Sequence, residues 1–254
     1  MSFMMKRLVS ITPRSTNSFK RFMSSKISSE SKKTSFKPLL VSIEGNIGAG
    51  KTTILRELRT KHPEWFSIDE PVETWSKIKN EEGKGILEVF YHDRKRWSYT
   101  FQNCALLTRF ENIEKKINDV RAKSNDIGAH IFLTERCLDT DYYVFTKMLC
   151  DEGSISKMEI ELYERLLNHL RNFSTPLSAI IYVNTPPDVC KDRILKRGRS
   201  GEEEITMDYL NSLNFYQSQW IESTHIPVLN VNSTDYKKVE DFLLNLQKES
   251  ETTL

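Results

Sequence analysis

The chain has 254 residues, 38% of them hydrophobic and 28% charged, with a formal net charge of +2. That is enough for one α/β domain with a real core, and so balanced a charge gives no reason to expect nucleic acid as a partner. No run approaches the roughly 20 apolar residues that a membrane span needs. The four cysteines (Cys104, Cys137, Cys150, Cys190) form no C-x-x-C, which argues against a zinc site or disulfide framework and for reduced thiols.

Charge is unevenly spread. Residues 1–37 carry nine Lys/Arg against one acid, Glu30, a net of +8; the remainder carries 28 basic and 34 acidic residues, a net of −6. The leader also holds ten Ser, and its bases (Lys6, Arg7, Arg14, Lys20, Arg21, Lys26) alternate with apolar residues such as Leu8, Ile11 and Phe19. An acid-poor, Arg/Ser-rich, weakly amphipathic leader predicts a mitochondrial transit peptide. A disordered basic leader on a cytoplasmic protein is the alternative. The folded domain is expected over 38–250.

Leu39-Leu40-Val41-Ser42-Ile43 is a nearly continuous apolar run, as expected of a strand buried on both faces. A weaker run lies at Trp65–Asp69, and stronger ones at 131–133, 179–183 and 227–231. Helical spacing marks Asp93–Val120, Ser156–Phe173, Pro187–Arg197, Ile205–Trp220 and Tyr236–Leu246. Alternating strands and helices predict βαβ units and a parallel sheet.

Gly45-Asn46-Ile47-Gly48-Ala49-Gly50-Lys51-Thr52 fits G-x-x-x-x-G-K-[ST] between a strand and a helix. Glycines let several backbone N–H groups face one point, where the helix N-terminus adds positive charge. Lys51 is placed to reach the β- and γ-phosphates, and the Thr52 hydroxyl to hold Mg²⁺. The motif names a phosphate site, not a reaction.

Glu70 follows the second strand in Asp69-Glu70-Pro71-Val72-Glu73-Thr74-Trp75. It is either a base for an attacking hydroxyl or an exposed loop acid. In Trp97-Ser98-Tyr99-Thr100-Phe101-Gln102, Phe101 offers a stacking face and Gln102 an amide for a base edge; the alternative is a core stripe with Gln at its margin. Arg109 lies further along the same helix, on an otherwise apolar face, and wants a partner, for which Asp141 is available. Thr134-Glu135-Arg136-Cys137 ends the third strand. Glu135 is placed to help hold Mg²⁺ and Arg136 to meet developing negative charge, unless they are a structural ion pair. Arg193, Arg197 and Arg199 lead into a Gly-containing acidic loop that reads as a lid or as a solvated charge run.

Together, G-N-I-G-A-G-K-T, E-P-V-E-T-W, R-W-S-Y-T-F-Q, E-R-C-x-x-x-D and R-x-x-x-R-G-R resemble the deoxyribonucleoside kinase family over about Leu39 to Asn232. The resemblance implies a P-loop NTPase-type, doubly wound α/β fold, with a five-stranded parallel sheet, helices on both faces and a lid. It implies a homodimer using ATP and Mg²⁺ to phosphorylate the 5′-hydroxyl of a deoxyribonucleoside. Glu70 would be the general base, Glu135 would attend Mg²⁺ and Arg136 would flank the reacting oxygens. Thr53 would extend the P-loop contacts, and Arg193, Arg197 and Arg199 would be lid arginines on ATP. Tyr91 and Glu202 would hold the sugar 3′-hydroxyl. Gln102 would pair with the base between Phe101 and Phe145, and Val72, Trp75 and Leu87 would line the pocket. Asn232–Tyr236 would pass near the adenine. An Arg109–Asp141 pair resembles the members acting on purine deoxynucleosides and deoxycytidine rather than thymidine; the leader tilts the choice to deoxyguanosine or deoxyadenosine. Cys137 stands where Ser is usual, Tyr142 where Arg is frequent, Gly201 where an acid is common and Thr206 where Pro is common. Gly201 is expected to loosen the lid, and Cys137 to hold Arg136 less firmly.

Two rival readings remain. A nucleoside monophosphate kinase shares the P-loop and lid, but Glu70 would oppose the acceptor's phosphate. A nucleotide-dependent switch would have no evident job for the aromatic–Gln helix.

Overall fold

The computed structural model describes residues 36–124, 128–199 and 201–252. Nearly all of the basic leader lies outside those residues, as does Ser200 of the lid. Phe36 and Lys37, counted with the leader on composition, belong to the folded body. Phe36 stacks on His130 at 4.7 Å, and Lys37 opens the first strand.

The elements alternate as the apolar runs predict. In chain order they are β1 (Lys37–Glu44), α1 (Lys51–Lys61), β2 (Phe66–Ile68), α2 (Val72–Lys77), α3 (Ile86–His92), α4 (Arg94–Lys123) and β3 (Ala129–Glu135). There follow α5 (Leu138–Thr140), a π-helical turn (Asp141–Thr146), α6 (Lys147–Asp151), α7 (Lys157–Arg171) and β4 (Leu177–Val183). Then come α8 (Pro187–Arg197), a 3₁₀ turn (Glu202–Glu204), α9 (Met207–Ser223), β5 (Val228–Val231) and α10 (Tyr236–Thr252). The strands form one sheet in the order β2-β3-β1-β4-β5, every pairing parallel.

Central position explains the composition of β1. Paired on both edges and covered on both faces, it buries everything from Leu39 to Glu44. Leu39, Val41 and Ile43 pack with Leu55 and Leu58 of α1 and Val239 and Leu243 of α10. Leu40 takes the opposite face, with Ile113 and Ile117 of α4 and Phe132 of β3. By the two-residue period of a strand, Ser42 and Glu44 share that second face.

Helix ends follow local chemistry. Asp93 caps α4 by accepting from the Arg96 N–H at 3.1 Å, Ser156 and Glu159 form a capping box on α7, and Pro187 opens α8. Helix α4 runs 30 residues, roughly 45 Å at 1.5 Å per residue, so a single rod carries Gln102 and Arg109 two turns apart. Three helical stretches were not read from spacing: α2, α3 and the segment from Leu138 to Asp151. Helix α10 also continues to Thr252, beyond the expected boundary at 250. Among the described residues no helix is long and apolar enough to cross a membrane.

Candidate active site

In a parallel sheet the carboxyl ends of the strands point at one region, and ligands sit there. Here β1, β2 and β3 deliver the glycine loop, Glu70 and the Glu135–Arg136 pair to the same mouth. The glycine loop needs glycine where it turns back on the fold. At Gly48, with φ +81°, a Cβ would stand 2.5 Å from the Cys190 carbonyl oxygen; at Gly45, with φ +143°, it would stand 2.7 Å from that of Val183. Asn46 braces the loop by donating through Nδ2 to the Leu210 carbonyl at 2.9 Å and accepting from the Ile47 N–H at 2.8 Å.

Lys51 is buried under that loop. Its Nζ donates to the carbonyls of Gly45 at 3.1 Å and Asn46 at 2.9 Å, and lies 3.7 Å from Glu135 Oε1. Burial, with the Arg136 charge adding to it, pushes the ammonium down to about 8. Thr52 donates its hydroxyl to Glu135 Oε2 at 2.8 Å. The Thr53 N–H bonds back to the Gly50 carbonyl at 3.1 Å. On the far side, Arg193 donates to the Ala49 carbonyl at 2.8 Å and to the Ser233 hydroxyl at 3.1 Å. That places the Asn232–Tyr236 segment against the glycine loop.

Four charged side chains meet beyond Lys51. Glu70 Oε1 accepts from Arg136 at 2.7 Å and from Arg109 at 3.3 Å. Arg109 also grips Asp141 with two bonds, Nε to Oδ2 at 2.9 Å and Nη2 to Oδ1 at 3.1 Å. Its third group reaches the Glu135 carbonyl at 2.8 Å. The predicted Arg109–Asp141 pair is thus a fork-to-fork contact, buried to 3% and 2% side-chain exposure. Burial alone would raise the Glu70 carboxyl, but Arg136, Arg109 and Lys51 outweigh it and hold it at about 2. Glu70 is therefore an ionised carboxylate, not a loose loop acid. The same carboxylates keep Arg109 charged despite its burial. Arg136 sits at φ +66°, the one non-glycine residue in the left-handed region among the described residues, and its guanidinium lies over the Phe145 ring at 5.1 Å.

A cavity of about 700 Å³ opens from this cluster. Its lining combines the polar Lys51, Thr52, Glu135, Arg136 and Glu70 with the apolar Val72, Trp75, Leu87, Phe101 and Phe145. Gln102, Arg109, Tyr91, Asp141 and Glu202 line it as well, so every residue predicted to meet the acceptor faces one space. The Gln102 side-chain oxygen is buried with no protein partner, as expected of a group left for a ligand. Phe101 is packed on one side by Phe90, stacked at 4.7 Å, and edge-on by Trp75 at 5.2 Å. It is a wall held rigid by the core as well as a ring facing the cavity. Burial, with Tyr209 and Glu202 nearby, pushes the Tyr91 phenol well up, so it stays a donor.

Charges on either side of the predicted lid segment pair with one another. Glu202 is buried and accepts from Arg197 at 3.1 and 2.6 Å and from Arg199 at 3.1 Å. Arg197 and Arg199 are thus paired although both stay exposed. Gly201 differs from its expected role. It is buried in a left-handed turn at φ +84°, where a Cβ would come within 3.3 Å of the Glu88 Cα. Its small size lets the lid lie against α3. Cys137 is likewise buried and tied into its turn, with its N–H on the Thr140 hydroxyl at 3.3 Å.

Two features of the site, a residue and a turn, escaped the sequence reading. Tyr209 of α9 faces the cavity beside Tyr91, edge-on at 6.2 Å, with its hydroxyl buried and unpartnered. Its signal, a Tyr near the start of a helix just after the lid, is too common to single out. The π-helical turn was also missed. Asp141 and Phe145 both line the cavity from this turn, and such turns recur at functional sites.

Comparison with known proteins agrees with this geometry. A family model described as deoxynucleoside kinase matches residues 41–252. The chain is 31% identical to deoxycytidine kinase 2 of Gallus gallus, over 82% of each chain. It is 30% identical to the mitochondrial deoxyguanosine kinase of Xenopus laevis, over 83% of this chain and 82% of that one. With the deoxycytidine kinase of Homo sapiens the identity is 29%, over 84% and 91%. A phosphate loop, an ionised carboxylate at its mouth and an aromatic pocket with a free amide thus coincide with a match across most of the chain, and the protein belongs to the deoxynucleoside kinase family.

Proposed function

We propose that this kinase transfers the γ-phosphate of ATP to the 5′-hydroxyl of a purine deoxynucleoside or deoxycytidine, with thymidine disfavoured. The observation that carries the reading is Glu70, a carboxylate held by two arginines where the phosphate loop meets the amide-bearing cavity. A nucleoside seated with its base at Gln102 and its sugar at Tyr91 and Glu202 directs its 5′-hydroxyl to Glu70. Lys51, the loop N–H groups and the lid arginines Arg193, Arg197 and Arg199 then hold the donor phosphates.

Glu70 accepts the hydroxyl proton. A carboxylate near 2 is a weak base, yet phosphoryl transfer passes through a loose transition state. The hydroxyl becomes acidic only as its bond to phosphorus forms, so alignment counts for more than basicity. Arg136 stands on Glu70 beside the reacting oxygens and stabilises charge there. Thr52 and Glu135, hard oxygen donors 2.8 Å apart, suit Mg²⁺, which is normally held by one or two protein oxygens together with phosphates. When bound, the metal neutralises phosphate charge.

Base preference rests on the Arg109–Asp141 fork, which offers a donor and acceptors to a polar base edge where apolar residues would make room for a methyl group. The relatives include kinases named for deoxycytidine and for deoxyguanosine. The basic leader inclines our reading to a mitochondrial purine enzyme acting on deoxyguanosine or deoxyadenosine. A homodimer is favoured by the packing of α4 on α7, which leaves Leu107, Met158 and Leu162 exposed.

ADP release with ATP and Mg²⁺ tests the reaction when deoxyguanosine, deoxyadenosine, deoxycytidine, thymidine and thymidine monophosphate are offered in turn. The expected order places thymidine last among the nucleosides and gives no turnover with the monophosphate; turnover on the monophosphate alone would move the protein to the rival kinase class. With the best acceptor, Glu70→Gln is expected to lower kcat by about 10²–10⁴ while leaving the KM for ATP within a few-fold, and near-normal turnover would remove Glu70 from the chemistry. Because Lys51 loses its proton as pH rises through about 8, kcat/KM for ATP should fall above that pH in the wild type and not in Lys51→Arg; a wild-type profile flat to about pH 10, near an unperturbed lysine, would contradict this. A chain lacking residues 1–35 should keep its activity and fail to reach mitochondria, and unchanged targeting would reject the transit peptide. Sedimentation should give twice the 29.7 kDa chain mass, and a monomer at catalytic concentrations would dismiss the dimer.

A further inference from the structure

Arg136 holds Glu70 from a backbone conformation that costs energy. A non-glycine residue at φ +66° is stable only where its surroundings over-determine it. The surroundings here can be traced atom by atom. The Arg136 N–H donates to the Ile43 carbonyl at 3.2 Å, and the Thr134 hydroxyl donates to the Arg136 carbonyl at 2.9 Å. The next N–H, of Cys137, donates to the Thr140 hydroxyl oxygen at 3.3 Å. Thr140 in turn donates to Glu44 Oε1 at 2.6 Å.

Glu44 is a buried acid that no step of the reaction uses. It ends β1, one residue before the glycine loop, and is fully buried. Besides Thr140, it accepts from the Ser42 hydroxyl and, through Oε2, from Gln217 Nε2 at 3.3 Å. It therefore joins β1, α5 and α9 at one point. A carboxyl so placed has all its partners in the protein, and its removal leaves donors stranded.

We propose that Glu44 and Thr140 form a positioning relay that locks the left-handed turn at Arg136 and thereby sets the Arg136–Glu70 contact. The inference rests on the reading of Arg136 and Glu70 given above. Neither relay residue lines the cavity, so each acts through Arg136.

Thr140→Val removes the hydroxyl at nearly constant size, Thr140→Ala removes it without overpacking, and Thr140→Ser retains it. Supporting groups of this kind are typically worth about 10–100-fold. We expect Val and Ala to lower kcat by that factor, with both KM values within about threefold, and Ser to stay within about twofold of wild type. A second readout separates positioning from loss of fold. Glu70 is faced by Arg136 from the end of β3, Arg109 from α4 and Lys51 from α1. Loosening Arg136 lets burial raise the carboxyl, so kcat/KM should acquire an acidic limb above pH 4.5 in Val and Ala, absent in Ser and wild type. Arg136→Met provides the control. If it turns over normally, the role of Arg136 fails. If it is impaired while Thr140→Val is not, the relay fails. If Thr140→Val costs as much again in the Arg136→Met background, Thr140 acts elsewhere, which also overturns the relay.

Discussion

The shared pairing of Glu70 with Arg136 and Arg109 is the contact on which the rest of the site depends. Two arginines taken out of water demand carboxylates with good geometry, and a buried charge without one is costly. The fold meets that demand from separate elements: Glu70 after β2, Arg136 after β3, Arg109 from α4 and Asp141 from the π-helical turn. None of these is local in sequence, so the cluster exists only when the sheet and α4 are assembled. In return it fixes the direction of each side chain, because four of the five Arg109 N–H groups are already committed.

That commitment couples recognition to chemistry. Arg109 touches the pair partner that would meet a base and also the carboxylate that would meet a hydroxyl. Helix α4 carries Gln102 on the same rod. Under the proposed function one helix would then carry both the amide for the base and the arginine that holds the carboxylate for the hydroxyl, which suits a reaction whose rate depends mainly on alignment.

Much of this was legible in the chain. The glycine loop announces itself because its glycines answer to backbone geometry, as the close approaches at Gly45 and Gly48 bear out. The strands were legible because central parallel strands are apolar on both faces, as in β1. Arg109 could be flagged as a charge on an apolar helix face, and Asp141 named as its partner. What remained illegible was short or non-local. Helices α2 and α3 have six and seven residues, too few for periodicity to stand out. Glu44 reads as an ordinary acid flanking a glycine loop. Its burial follows from Thr140 and Gln217, which lie 96 and 173 residues away. Gly201 was read as a source of looseness from its residue type, whereas its packing against Glu88 shows close approach.

The lid carries a consequence of its own. Arg197 and Arg199 both rest on Glu202, so neither waits as a bare cation. Engaging a phosphate means trading one anion for another, and the driving force is the difference between two pairings instead of the full strength of either. Under the proposed function, a lid built this way would exchange partners when it takes hold of a charged donor and again when it lets a charged product go.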